Sequence, residues 1–111
     1  MNKVVFISSN HLGAGETELG EALQRAFLES LGKVEPLPDA VIFMNAGVHL
    51  VANDAPTINS LRTLEASGVD ILSCGTCLDY YNLMERVGAG RVSNMAEIVT
   101  MLMNADSVVS P

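Results

Sequence analysis

Residues 69–81, VDILSCGTCLDYY, place both cysteines of the chain between an apolar run and a polar, aromatic stretch. The pattern predicts a β-strand over residues 69–73, followed by a helix that ends near Gly88. Cys74 then lies where the strand ends, and Cys77 lies at or just before the first turn of the helix. The segment therefore predicts a strand-to-helix junction with a CxxC motif inside it.

Strands and helices alternate on both sides of this junction. The predicted strands cover residues 4–7, 40–44, 69–73, 91–92 and 107–109, and the predicted helices cover residues 19–31, 57–68, 78–88 and 94–103. Such alternation gives right-handed crossovers and a parallel sheet that helices cover on both faces. Because a chain of 111 residues has room for one core, we predict a single α/β domain over residues 1–111.

Two of these helices carry a marked apolar stripe. The stripe of the first helix consists of Leu19, Leu23, Ala26, Phe27 and Leu31, and that of the last consists of Met95, Ile98, Val99, Leu102 and Met103. Such stripes are typical of helices that pack one face against a core. Asn94, with Glu97 three residues on, predicts a capping box at the start of the last helix.

The composition excludes several classes of partner. The net charge is −7 and the six basic residues lie far apart, so no cluster can neutralise the phosphates of a nucleic acid or an anionic membrane surface. No apolar run reaches the roughly 20 residues that span a bilayer. The first residues also lack the apolar length and cleavage site of a signal peptide. We predict a cytoplasmic protein with no nucleic-acid and no membrane partner.

The CGTC motif, residues 74–77, is the strongest chemical signal in the chain. The partial positive charge at a helix N-terminus stabilises a thiolate and lowers a cysteine pKa from about 8.5. Gly75 allows a tight backbone path between the sulfurs, and Gly75 and Thr76 are predicted to support the site. Because structural disulfides are rare in the cytoplasm, the pair indicates redox or sulfur-transfer chemistry at Cys74 and Cys77.

Three other interpretations of the cysteines stay open. Both could be small buried hydrophobes, since free cysteine is among the most buried residue types. A zinc site would need His11 and His49 as further ligands, but neither histidine has a local partner, so we predict no metal and no cofactor. A thioredoxin-like disulfide reductase would need a proline-bearing loop opposite the motif, and none is visible.

Three predicted loops meet at the carboxyl ends of the strands, where parallel sheets bind their ligands: residues 8–15, 45–56 and 74–77. In the second loop, Asn45 and Gly47 could supply hydrogen-bond donors beside a thiolate. The first loop contains glycines but lacks the spacing of a nucleotide-binding motif, and its acidic residues would repel a phosphate. The predicted site therefore combines the second and third loops.

The order of these features resembles the DsrE-like family of sulfur-relay proteins. The likeness is carried by GAGETELGEAL (13–23), VIFMNAGVHL (41–50), LEASGVDILSCGTCLDYYNL (64–83) and RVSNMAEIV (91–99). Within the family, the chain is most similar to the C-terminal domain of the selenium-metabolism protein YedF. Because such proteins usually carry a TusA-like domain ahead of this one, we expect the chain to be an excised C-terminal domain or a stand-alone version.

The resemblance implies a three-layer α/β/α fold of the Rossmann-like or flavodoxin-like type, with a mostly parallel five-stranded sheet. It also implies a homo-oligomer, a trimer or a multiple of it, and donor and acceptor proteins such as a TusA-like domain. The chain departs from the family at Tyr81-Asn82, where many relatives have Arg-Gly.

The function that follows from the motif and the resemblance is that of a sulfurtransferase-like carrier of sulfur or selenium. Cys74 would accept a persulfide or selenenyl sulfide and Cys77 would resolve it, although the two roles are exchangeable. The alternative hypothesis is a non-catalytic assembly or regulatory module in which both cysteines are inert and the apolar C-terminal segment packs between subunits.

Overall fold

The computed structural model describes residues 2–111, and within them five strands alternate with helices along the chain. In chain order the elements are β1 (Lys3–Ile7), α1 (Thr17–Leu31), β2 (Ala40–Phe43), a 3₁₀ helix (Asn45–Val51), α2 (Ile58–Ala66), β3 (Asp70–Cys74), α3 (Gly75–Tyr80), a second 3₁₀ helix (Met84–Arg86), β4 (Arg91–Ser93), α4 (Met95–Asn104) and β5 (Ser107–Val109). Each predicted strand is present, with bounds that differ by at most one residue.

The strands form one sheet in the order β4-β3-β2-β1-β5, and every neighbouring pair in it is parallel. The steps from β1 to β2, β3 and β4 all run in the same direction across the sheet, so right-handed connections place α1, α2 and α3 on one face. The last connection returns from β4 at one edge to β5 at the other, which places α4 on the opposite face. The α/β fold with a five-stranded parallel sheet is thereby confirmed within residues 2–111.

Alternate residues of the strands point into two separate cores. The larger core lies under α1, α2 and α3, and its strand residues are Val5, Ile7, Val41, Phe43 and Ile71. The smaller core lies under α4, and its buried residues are Val4, Ala40, Ile42, Leu72, Cys74 and Ile98. Because successive side chains of a strand alternate between faces, Ser73 and Cys74 lie on opposite sides of the sheet.

Two element predictions were wrong on the side of the sheet that carries the larger core. Residues 45–56 do not form an open loop, since Asn45–Val51 is a 3₁₀ helix. The helix predicted to end near Gly88 stops at Tyr80. Asn82 has a φ of 57°, and a residue in the left-handed region cannot continue a right-handed helix.

The apolar stripe predicted for α1 is confirmed at Phe27 and Leu31, which pack against the larger core, but it is wrong at Leu19 and Leu23. The buried residues of this helix are Gly20, Gln24 and Leu28, whereas Leu19 is 58% exposed and Leu23 is 42% exposed. The loop before the helix explains the rotation. Gln24 donates from Nε2 to the carbonyl oxygen of Ser9 at 3.0 Å, so a polar contact takes the inward position that periodicity assigned to leucine.

In α4 the predicted stripe faces mostly outward. Ile98 is fully buried and Leu102 is half-buried, but Met95, Val99 and Met103 are exposed. Glu97, Thr100 and Asn104 form a polar side, but the apolar side of the helix is wide, so periodicity alone could not select the part of it that faces the sheet. The start of the helix is as expected, because Asn94 Oδ1 accepts a hydrogen bond from the Glu97 N–H at 2.9 Å.

Candidate functional site

The CGTC motif lies at the carboxyl end of β3, next to the carboxyl end of β2. Cys74 is the last residue of β3 and α3 begins at the next residue, so the predicted strand-to-helix junction is present. Both cysteines are free thiols, and their side chains approach each other to 3.2 Å. At this separation a small movement would bring the two sulfurs within bonding distance.

The two thiols differ in their access to solvent. Cys74 is 3% exposed and points into the smaller core. Cys77 is half-buried, packs against both cores and lines an open cleft of about 390 Å³. The other residues that line this cleft are Asn45, Thr76, Tyr80 and Tyr81. A reagent or partner that enters the cleft therefore meets Cys77 first.

Asn45 brings a hydrogen-bond donor to the exposed thiol. It follows β2 by two residues and starts the 3₁₀ helix with a φ of 51°, in the left-handed region that Asn tolerates better than most residues. Its N–H donates to Cys77 Sγ at 3.1 Å, and its side-chain Oδ1 accepts a hydrogen bond from the Tyr81 hydroxyl at 3.1 Å. One residue thus connects the sulfur to the tyrosine.

Tyr81 is held between two aromatic neighbours. Its ring packs against the ring of His49, with centroids 4.4 Å apart, and it meets Tyr80 edge-on at 5.1 Å. Tyr81 also contacts the larger core, whereas Tyr80 is 77% exposed. Because its surroundings fix the Tyr81 ring, the hydroxyl at its tip has little freedom to leave Asn45.

The pKa of the Cys77 thiol lies above its ordinary value. Burial makes the largest contribution to the rise, the hydrogen bond with Cys74 raises the pKa further, the N–H of Asn45 lowers it, and charge on Cys74 raises it. The prediction that the helix N-terminus would lower the pKa is therefore wrong for Cys77. The contribution that lowers the pKa comes from the Asn45 N–H, and desolvation outweighs it.

The predicted glycines act on the backbone around the sulfurs. A side chain at Gly47 would lie 2.4 Å from the carbonyl oxygen of Ile7, so only glycine lets the 3₁₀ helix pack against the end of β1. Gly75 lies under β4, where a side chain would come within 3.1 Å of the Ser93 oxygen. Gly47 thus sets the path of the chain just after Asn45. Thr76, which was also predicted to support the site, is exposed and lines the cleft.

The two histidines do not meet at the cysteines. The His11 ring lies within 3.3 Å of Ser9 and Asn10 atoms, and the His49 ring packs against Tyr81. Among residues 2–111, no group of three or more His, Cys, Asp or Glu side chains could hold a metal ion. In the same part of the chain, no helix is long and apolar enough to cross a membrane.

The sequence pattern of the DsrE/DsrF-like family matches residues 3–111. The chain belongs to this family. No protein with a curated description matches the sequence. Of the similar solved structures, the ychN protein from E. coli is 18% identical with a TM-score of 0.75, and both chains are covered over 100% of their length. MTH1491 from Methanobacterium thermoautotrophicum, described as a protein of unknown function, is 19% identical with a TM-score of 0.70, again over 100% of both chains.

A third similar structure is BT1422 from Bacteroides thetaiotaomicron, a conserved protein of unknown function. It is 17% identical with a TM-score of 0.67, and the match covers 99% of this chain and 95% of that one. At these identities the structures establish that the DsrE/DsrF-like chain shares their fold. The sequence resemblance to the DsrE-like family is thus confirmed, whereas the closer likeness to YedF stays a prediction.

The sequence of this DsrE/DsrF-like chain did not predict the hydrogen bond between Tyr81 and Asn45. A tyrosine four residues after Cys77 looks like ordinary helix packing when the helix is expected to continue to Gly88. The signal that could have found it is Asn82, since Asn is one of the few residues that readily take the left-handed conformation that ends a helix.

Proposed function

We propose that the chain is a carrier of sulfur, or of selenium as the likeness to YedF implies, that uses the CGTC pair. The observation that carries this proposal is the geometry of the two cysteines: Cys77 borders the cleft and Cys74 lies buried 3.2 Å behind it. Membership of the DsrE/DsrF-like family supports the proposal. We place the reaction in the cytoplasm, where thiols stay reduced.

Loading begins at Cys77, because this sulfur is the accessible one. Its thiolate attacks the terminal sulfur of a donor persulfide, R–S–SH, so that a new S–S bond forms on Cys77 and the old one breaks to release R–S⁻. The donor and acceptor are proteins of the thiol-bearing kind, such as a TusA-like domain. The raised pKa of Cys77 keeps most of this thiol protonated at neutral pH, which disfavours unselective attack.

Unloading has two routes. An acceptor thiolate in the cleft can take the terminal sulfur and leave Cys77 as a thiolate. Alternatively, the Cys74 thiolate can attack Cys77 Sγ, which forms the Cys74–Cys77 disulfide and releases HS⁻. An external dithiol must then reduce the disulfide by two electrons before the next cycle. The 3.2 Å approach of the two side chains supports the second route.

Mass spectrometry after incubation with a small persulfide donor tests the proposal. We expect wild type to gain the mass of one sulfur atom, Cys77→Ser to gain none, and Cys74→Ser to hold its sulfur longer because it lacks the resolving thiol. The double serine variant is the control for sulfur bound elsewhere. The proposal fails if neither wild type nor Cys74→Ser gains sulfur, or if Cys74→Ser cannot be distinguished from the double variant.

A second candidate function is a non-catalytic assembly module, and the exposed side of α4 favours it. Met95, Val99 and Met103 lie one turn apart, are uncharged and are 54%, 47% and 79% exposed. A chain with net charge −7 repels its own copies, so contact between copies requires an uncharged surface such as this stripe. We propose that a second copy covers it in a homo-oligomer, a trimer or a multiple of it.

Sedimentation velocity distinguishes the two candidates when it is combined with the sulfur-loading experiment. Val99→Lys places a charge in the stripe and should convert the oligomer into monomer, whereas Thr100→Lys, one position farther along the helix, should leave it intact. A monomeric wild type would refute the assembly proposal. Oligomers with cysteines that load no sulfur would favour the assembly module over the carrier.

A further inference from the structure

Asn45 combines an unusual backbone conformation with a contact to Cys77. Its φ of 51° lies in a region that non-glycine residues rarely occupy, and residues held there concentrate at functional sites. The N–H of the same residue donates to Cys77 Sγ at 3.1 Å.

This hydrogen bond is the main polar support that the cleft gives to the sulfur. The residues that line the cleft, Asn45, Thr76, Cys77, Tyr80 and Tyr81, include no cationic side chain in the described part of the chain. The titratable groups around Cys77 are Cys74 beside it, the two tyrosines, and Asp79, which is exposed on the same helix. His49 lies behind the Tyr81 ring. Without a nearby cation, a thiolate depends on a donor such as the Asn45 N–H.

The Asn45 side chain is in turn held by Tyr81. The Tyr81 hydroxyl donates to Asn45 Oδ1 at 3.1 Å, and the ring that carries it is packed against His49 and the larger core. Rotation about the N–Cα bond of Asn45 would change the direction of its side chain relative to its N–H, so the contacts with Tyr81 and Cys77 are made together only near the observed conformation. The tyrosine contact therefore opposes the same rotation that would take the donor away from the sulfur.

We propose that Tyr81 is a positioning residue for the cysteine chemistry, which holds the Asn45 side chain and thereby keeps the Asn45 N–H on Cys77 Sγ. This inference rests on the proposed carrier function and adds a residue to its site. Tyr80 is the natural comparison, because it has the same hydroxyl and lies next in the chain but is 77% exposed.

The test is the pH profile of Cys77 alkylation by iodoacetamide, measured by mass spectrometry in a Cys74→Ser background. Alkylation follows the thiolate fraction, so the profile reports how well the site stabilises the thiolate. We expect Tyr81→Phe to lower the rate constant by roughly three- to tenfold below the midpoint and to move the midpoint to higher pH, since one hydrogen bond is lost. The high-pH plateau should stay unchanged because access to the sulfur is unchanged.

Tyr80→Phe is the matched variant and should reproduce the profile of the parent. Asn45→Gly supplies the second half of a double-mutant cycle: glycine keeps the N–H and takes the left-handed conformation easily, but has no side chain for Tyr81 to hold. Adding Tyr81→Phe to Asn45→Gly should therefore change the profile no further. A full effect of Tyr81→Phe in that background would show that Tyr81 does not act through Asn45 and would overturn the inference.

Equal midpoints in Tyr81→Phe, Tyr80→Phe and the parent would also overturn it. A structural role alone would lower the melting temperature of Tyr81→Phe and leave the midpoint where it was. The experiment uses no sulfur donor, so its outcome is independent of the loading experiment. Failure to load sulfur would refute the carrier function, while an unmoved midpoint would refute the positioning role alone.

Discussion

Within residues 2–111, one face of the sheet is covered by α1, α2, α3 and the longer 3₁₀ helix, whereas α4 is the one helix that covers the other face. The first face buries Leu61 and Leu64 among many aliphatic neighbours, and the second depends on Ile98 and a few half-buried side chains. The cysteine pair lies between these layers, with Cys74 in the smaller core under α4 and Cys77 in contact with both cores. We therefore expect the first face to contribute most of the free energy of unfolding. The packing of α4 on the second face should control the access of solvent to Cys74.

The largest expected effect on stability comes from truncating a leucine on the face that α1, α2 and α3 cover. Leu61→Ala removes a fully buried side chain of α2 and should lower the free energy of unfolding by about 3 kcal/mol. Leu102→Ala removes the same atoms from the half-buried side of α4 and should lower it by about 1 kcal/mol. Chemical denaturation followed by far-UV circular dichroism measures both, since the chain has no tryptophan. Equal losses would show that α4 supports the sheet as strongly as α2.

Compared with Leu61→Ala, Ile98→Ala should lower the free energy of unfolding less but should increase the exposure of Cys74 more. Ile98 is the buried residue of α4, so its truncation should destabilise the protein by about 2 kcal/mol and loosen the helix over Cys74. In a Cys77→Ser background, we expect alkylation of Cys74 under native conditions to become faster by roughly tenfold or more. Leu61→Ala is the control, because its effect lies on the other face. If both variants expose Cys74 equally, the two layers open as one unit.

The sheet was predictable from the sequence because its strands are short, continuous apolar runs such as residues 40–44, buried on both faces. The faces of the helices were harder to predict. In α1 a polar residue, Gln24, takes an inward position through its contact with Ser9, and in α4 the apolar side is wider than the part that faces the sheet. Periodicity identifies a helix, but contacts made by other segments decide how the helix is rotated.

The sequence predicted the part of the cysteine site that neighbouring residues form, but not the contacts between distant segments. Cys74 and Cys77 are adjacent in the fold because they are two residues apart at a junction that the strand pattern predicts. The contact between Asn45 and Tyr81 joins residues 36 positions apart and depends on the left-handed conformations of Asn45 and Asn82. Neither conformation leaves a pattern in the sequence beyond the presence of an asparagine.

The smallest expected effect concerns the ion pairs that connect the start of α4 to the sheet. Arg91 of β4 pairs with Glu97 of α4 at 2.8 Å and with Asp70 of β3 at 3.0 Å, and Ser93 donates a hydrogen bond to Glu97. The hydrogen bonds from Arg91 and then Ser93 lower the pKa of Glu97 from 4.5 to about 2. These contacts link the start of α4 to β3 and β4.

Because the pKa of Glu97 is lower in the folded state, its contribution to stability is complete above about pH 4.5 and is lost as the pH falls toward about 2. We expect the melting temperature of wild type to exceed that of Glu97→Gln at pH 7, and the difference to shrink across that window. The effect should be modest, since the pair is exposed to solvent. Glu21→Gln removes a carboxylate from the exposed side of α1, away from Arg91, and should leave the pH dependence as it is. If the difference in melting temperature between wild type and Glu97→Gln stayed constant from pH 7 to pH 2.5, the ionised carboxylate would not stabilise α4. The position of the helix would then depend on its apolar contacts with the smaller core.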